Sequence, residues 1–138
     1  MEASITVNSE IKSNLQTVWN AWTSPAHIVH WNFADESWHA PAAENDLTIG
    51  GKFSYRMEAK DGSAGFDFSG VYTEIVENKV IAYTMDDGRT ACVTFEENGD
   101  STIVTEVFEA EQMNHVEMQQ AGWQMILDNF KRYAESRG

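Results

Sequence analysis

From Asn114 onward the chain reads as one long helix. Asn114 with Glu117 three residues later forms a capping-box pattern. Met118, Gly122, Met125, Phe130 and Tyr133 then recur at helical spacing, and Trp123, Ile126 and Leu127 widen the stripe. About 22 residues rising 1.5 Å each give a rod of roughly 33 Å. A stripe so broad cannot face water along that length. It requires a sheet large enough to cover it, and the preceding residues must supply that sheet.

They do so in a legible order. SITVNSEI, residues 4–11, alternates Ile5 and Val7 with polar neighbours and reads as a strand. Ser13 and Gln16 then form a capping box ahead of Leu15, Val18, Trp19 and Trp22, the stripe of an amphipathic helix. Ser24-Pro25 opens a second short helix that ends near Trp31. Residues 32–45, with Pro41 inside, read as a loop. Beyond Leu47 the chain turns to strands. KFSYRMEA places Phe53, Tyr55 and Met57 on one face. Turn signals at Lys60-Asp61-Gly62, Glu77-Asn78, Asp87-Gly88 and Asn98-Gly99 separate it from a strand over Phe66–Ile75, bent at Gly70, and from VIAYTM, TACVTFEE and STIVTEVFE. These short connections predict an antiparallel meander. The expected fold is α+β: a single domain over 1–138, with a curved antiparallel sheet of about six strands wrapped on the C-terminal helix. Two short helices close one end of the space between them.

Composition narrows the function. Nine Lys and Arg against 22 Asp and Glu leave a formal charge of −13, which argues against nucleic acid and anionic membrane surfaces as partners. Cys92 stands alone, so no intramolecular disulfide can form. The first residues lack a basic start followed by an apolar run, and no segment approaches 18 continuous apolar residues. The expectation is a cytoplasmic monomer. No nucleophile elbow, phosphate-cradling glycine loop or dinucleotide fingerprint appears, and no cofactor is called for.

Three stretches carry a family resemblance: VWNAWTSPAHIVHWNFA (18–34), ENDLTIGGKFSYRMEAKDGSAGFDFSGVY (44–72) and GWQMILDNFKRY (122–133). With the element order above, the chain resembles the START-like or SRPBCC superfamily, the helix-grip fold of the birch-pollen allergen. Within it, the chain looks like the bacterial branch related to the C-terminal domain of the activator of the ninety-kilodalton heat-shock chaperone's ATPase. The resemblance implies a hydrophobic cavity for a small apolar or amphipathic molecule. It also raises a chaperone as a partner. The eukaryotic activator, however, joins this domain to a separate N-terminal domain that contacts the chaperone.

The segment WNFADESWH, residues 31–39, packs two Trp, one Phe, two carboxylates and a His into an irregular stretch. Trp31, Phe33 and Trp38 either line the cavity mouth or plug the core beneath a long loop. With Tyr55, Met57, Phe68, Tyr83 and Trp123 they make the expected ligand walls. His39 and Glu106 are the polar groups expected to orient the ligand. His39, beside Asp35 and Glu36, also has the composition of a general base, and the alternative function is a cyclase- or hydrolase-like enzyme using a cavity carboxylate or His. His27 and His30 with these residues match no zinc motif. Arg56, Glu58 and Asp67 fall out of phase with the apolar set, so periodicity places them on the solvent face as cross-strand ion pairs. The alternative puts them inside as ligand anchors. Glu106 shares a face with Val104 and Phe108, while Ile103, Thr105 and Val107 share the other. If the first face turns inward, Glu106 is a buried carboxyl with a raised pKa. Cys92 reads as a small core residue.

Overall fold

The computed structural model describes residues 4–137. In chain order it contains β1 (Ser4–Ile11), α1 (Leu15–Thr23), α2 (Pro25–Ile28), β2 (Trp38–Asn45), β3 (Lys52–Ala59), β4 (Gly65–Val76), β5 (Val80–Met85), β6 (Thr90–Asn98), β7 (Ser101–Glu109) and α3 (Val116–Arg137). All strands join one antiparallel sheet in the order β1-β7-β6-β5-β4-β3-β2. The four hairpin turns fall where the sequence places them, with positive φ at Gly62, Asn78, Gly88 and Gly99. Among the described residues no helix is long and apolar enough to cross a membrane.

The sheet has seven strands, one more than the sequence reading gives. The extra one is β2, inside the segment expected to be a loop. Pro41 cannot donate to a ladder, so proline within strands is confined to edges and bulges. Here it occupies both: β2 is the edge strand, and its register against β3 shifts between His39 and Ala42. The bend in β4 also differs from expectation. Its register shift lies between Tyr72 and Glu74, just beyond Gly70. Gly70 instead allows a close approach: a Cβ there would sit 2.5 Å from the Thr84 carbonyl and 3.0 Å from the Phe53 ring.

The edge at β1 is covered by α3, which runs alongside it. Gln120 donates to the Thr6 carbonyl at 3.1 Å, Gln124 to that of Asn8 at 3.2 Å and Lys131 to that of Glu10 at 2.6 Å. The Lys12 N–H donates to Glu135 at 2.8 Å. The match is geometric. One helical turn climbs ~5.4 Å and two strand residues span ~6.7 Å, so Gln120 and Gln124, a turn apart, meet successive outward-facing carbonyls, and the long Lys131 side chain reaches back to the next. An open edge that would invite pairing with another chain is thereby satisfied within the molecule.

The buried stripe of α3 is Gln119, Leu127, Phe130 and Ala134, flanked by Trp123, Ile126 and Tyr133. Met118 and Met125, expected in that stripe, are exposed. The capping box expected at Asn114 does not form either. The Asn114 side chain donates to Glu111, while the Met118 and Gln119 N–H groups both bond to the His115 carbonyl. At α1 the cap is Asn14, whose side chain accepts from Thr17 N–H at 2.8 Å, rather than Ser13. Trp19 and Trp22 of α1 press edge-on against Phe95 of β6, and Trp22 and Trp31 both meet Phe130 of α3 edge-on at 4.9 and 4.8 Å. This knot of rings fastens the short helices across one end of the sheet.

Candidate functional site

Between the concave sheet face and α3 the structure leaves a cavity of about 220 Å³. Its walls come from six of the ten described elements and the loops between them. Phe53, Tyr55 and Met57 project from β3, Phe66, Phe68 and Tyr72 from β4, and Ile81 and Tyr83 from β5. Trp22 of α1, with Trp31 and Asn32 after α2, closes one end. Trp123 and Ile126 of α3 form the roof, and Arg89 and Glu106 complete the lining. Nine of these residues are aromatic, so rigid rings rather than flexible chains bound the space. Phe53 is the hub: Tyr55, Phe68, Tyr72 and Tyr83 surround it at centroid distances of 5.0–5.5 Å. Trp123 stacks on Phe108 at 3.7 Å and meets Phe68 edge-on at 6.0 Å, which fixes the roof to both sides of the sheet.

Glu106 is the unusual member of this lining. On β7 the inward residues are Thr102, Val104, Glu106 and Phe108. Neighbouring strands set that register: Val7 of β1 and Val93 of β6 pair with Glu106, and Ile81 of β5 pairs with Val93. The carboxyl therefore lies in a row of β-branched apolar partners. It has no hydrogen-bond partner among the described residues, and burial alone pushes its pKa up to about 8. At neutral pH it is a carboxylic acid, a donor as well as an acceptor. A second polar group is also unmatched. Asn32 is 5% exposed, and its Nδ2 has no hydrogen-bond partner.

The phenols of Tyr55 and Tyr72 behave differently, while the Tyr83 hydroxyl makes no hydrogen bond among the described residues. Tyr72 donates to Asn45 at 2.5 Å, Asn45 in turn donates to the Thr23 carbonyl at 2.6 Å, and the Tyr55 hydroxyl lies 3.4 Å from that of Tyr72. Burial raises the pKa of Tyr55, Tyr72 and Tyr83, and the neighbouring Glu106 charge adds to the effect at Tyr83. All three stay neutral at physiological pH. The Arg89 guanidinium is held at the wall by Asp87 at 2.8 Å and by the Glu109 carbonyl at 3.2 Å.

Of the ten residues expected at the ligand site, seven line this cavity: Trp31, Tyr55, Met57, Phe68, Tyr83, Glu106 and Trp123. Three do not. Phe33 bonds through its backbone to Trp31 and Asn129 in the turn after α2. Trp38 begins the edge strand and meets Phe66 edge-on at 5.9 Å. His39 is 43% exposed, 3.8 Å from Glu58 on the outer face, so it orients nothing inside. Arg56 also sits on that outer face, 2.9 Å from Glu58 and 3.4 Å from Asp67, where such exposed pairs contribute little. Among the described residues no cluster of three or more His, Cys, Asp or Glu could hold a metal ion. Sequence reasoning did not name Trp22, Asn32, Phe53, Phe66, Tyr72, Ile81, Arg89 and Ile126 as lining residues. Phase with Phe68 could have found Phe66 and Tyr72, but nothing local marks Asn32.

The comparisons agree with this architecture. The family described as Activator of Hsp90 ATPase homolog 1-like protein matches residues 12–135. The solution structure of an AHSA1-like protein from Aeromonas hydrophila is 44% identical, with a TM-score of 0.93 over 99% of this chain and 94% of that one. A Cytophaga hutchinsonii protein is 46% identical, with a TM-score of 0.83 over 97% and 93%. A Nitrosomonas europaea protein at 19% identity, with a TM-score of 0.84 over 98% and 96%, shares the fold alone. No curated protein matches the chain.

Proposed function

The chain belongs to the Activator of Hsp90 ATPase homolog 1-like family, within the START/SRPBCC superfamily, and we propose that it binds a small apolar or amphipathic molecule between its sheet and its C-terminal helix. The supporting observation is the ring-lined space of about 220 Å³. Protein interiors pack like organic crystals, so few voids exceed a water molecule. An apolar cavity of roughly 150 Å³ stays dry and accepts a benzene-sized guest. Filling such a space removes apolar surface from water on the guest and gains about 25 cal/mol for each Å².

Titration with a panel of small aromatic and fatty compounds, read by amide chemical shifts, tests the proposal. Shifts are expected at Tyr55, Phe68, Tyr83 and Trp123. Shifts confined to the outer face of the sheet would refute it. The buried Glu106 carboxyl favours a second reading, an acid–base enzyme of the cyclase or hydrolase kind. That reading requires a bound compound to be converted, at a rate that collapses in Glu106→Gln.

A further inference from the structure

The class of ligand follows from the polar groups the cavity leaves unmatched, given that it binds a ligand at all. An aromatic wall accepts any apolar ring, so the rings set size and not identity. Orientation falls to groups whose hydrogen-bonding capacity the protein does not use. The phenols of Tyr55 and Tyr72 are already linked to Asn45, and the Arg89 guanidinium is anchored by Asp87, which pairs its charge, and by the Glu109 carbonyl. Glu106 and Asn32, 6% and 5% exposed, remain without a side-chain donor or acceptor matched to them, and so does the Tyr83 hydroxyl, among the described residues. The unpartnered atom of Asn32 is an amide nitrogen, which can only donate.

We propose that the natural ligand is a small uncharged compound of one or two rings bearing carbonyl-type oxygens, which accept hydrogen bonds from the Glu106 carboxyl and the Asn32 amide, and that carboxylates on the same rings are rejected. Three observations converge on this class. The volume, half as large again as a benzene-sized cavity, holds one or two rings. The Glu106 carboxyl, the Asn32 amide and the Tyr83 hydroxyl can all donate, so an acceptor satisfies any of them. An anion would meet a lining whose one cation is already paired, and its ionic charge would lie in the row of Val7, Val93 and Ile81.

The dependence on pH is specific. The ionisable groups sharing the lining are Tyr55, Tyr72 and Tyr83 from β3, β4 and β5 and Arg89 from the β5–β6 turn. The helices supply no ionisable group to it. The phenols titrate higher, with their pKa values raised by burial. Ionisation of Glu106 near pH 8 is then the event that removes a donor.

The test is a matched ring series on the intact chain: tetralin, 1-tetralone, tetralin-1-carboxylate and 1-aminotetralin, with affinities from chemical-shift titrations between pH 5.5 and 9.5. The expected result is 1-tetralone binding about tenfold more tightly than tetralin at pH 6. That advantage should shrink by up to about tenfold per pH unit once Glu106 ionises, and the carboxylate should bind more weakly than tetralin. In Glu106→Gln, which keeps an N–H donor, the advantage should persist to pH 9.5, and in Asn32→Leu it should fall severalfold. The pH series on the unaltered protein decides the matter even if a variant fails to fold. Tetralin and tetralone binding equally at every pH would overturn this inference while the cavity proposal stands. So would the ammonium or the carboxylate binding most tightly. Failure of all four compounds to bind would overturn the cavity proposal itself.

Discussion

Replacing Glu106 by Gln removes one titration and keeps the shape, so its effect on stability can be worked from the structure. In the unfolded chain a glutamate titrates near 4.5, whereas burial in the folded state raises it to about 8. Between those values the folded protein holds a proton that the unfolded chain has released. Stability from this group is therefore fullest below pH 4.5 and declines as pH rises through the window. Each pH decade in the window is worth ~1.4 kcal/mol. The unaltered protein should thus lose about 2.5 kcal/mol between pH 5 and 7 on account of Glu106, and about 5 kcal/mol in all by pH 9. Gln does not titrate. The stability difference between variant and parent should grow by those amounts in favour of Gln, whatever constant offset the amide introduces. Urea unfolding of both proteins at each pH measures it, and other titrating groups cancel in the difference. A difference flat to within about 0.5 kcal/mol from pH 5 to 8 would show that Glu106 is solvated and ionises normally.

The ring knot and the β4 approach give two further expectations. Phe130 is fully buried against Trp22 and Trp31, so Phe130→Ala should cost about 3–5 kcal/mol in denaturant unfolding, and a loss under 1 kcal/mol would show that it does not fasten the short helices. Gly70→Ala would drive a Cβ to 2.5 Å from the Thr84 carbonyl and against the Phe53 ring, so it should destabilise by about 1–3 kcal/mol and shift the amide signals of Phe53 and Tyr83; an unchanged midpoint and spectrum would contradict that close packing.

Local chemistry made much of the cavity wall readable in advance. The alternation of Phe53, Tyr55 and Met57 put those rings on one face, and the helical spacing of Trp123, Ile126, Leu127 and Phe130 put them on one stripe. Phase misled where competing stripes differ by a single residue. Met118 and Met125 lie one position away from Gln119 and Ile126, and it was packing against β1, with its row of carbonyls to be met, that chose between them. Trp38 and His39 looked like cavity residues because they neighbour Trp31 in sequence. An edge strand carries them away instead.

The amino-acid order by itself determined every element but the edge strand β2, the hairpin turns, the antiparallel meander and the need for a sheet beneath the last helix, because those depend on contacts a few residues apart. Which face of β7 turns inward depends on strands far away in the chain. Its two faces are nearly equal in apolar content, and only pairing with Val7 and Val93 buried the one bearing Glu106. The unmatched carboxyl, the orphaned Asn32 amide and the space between them were therefore decided by tertiary structure, since burial and satisfaction are properties of surroundings that no short stretch of chain contains.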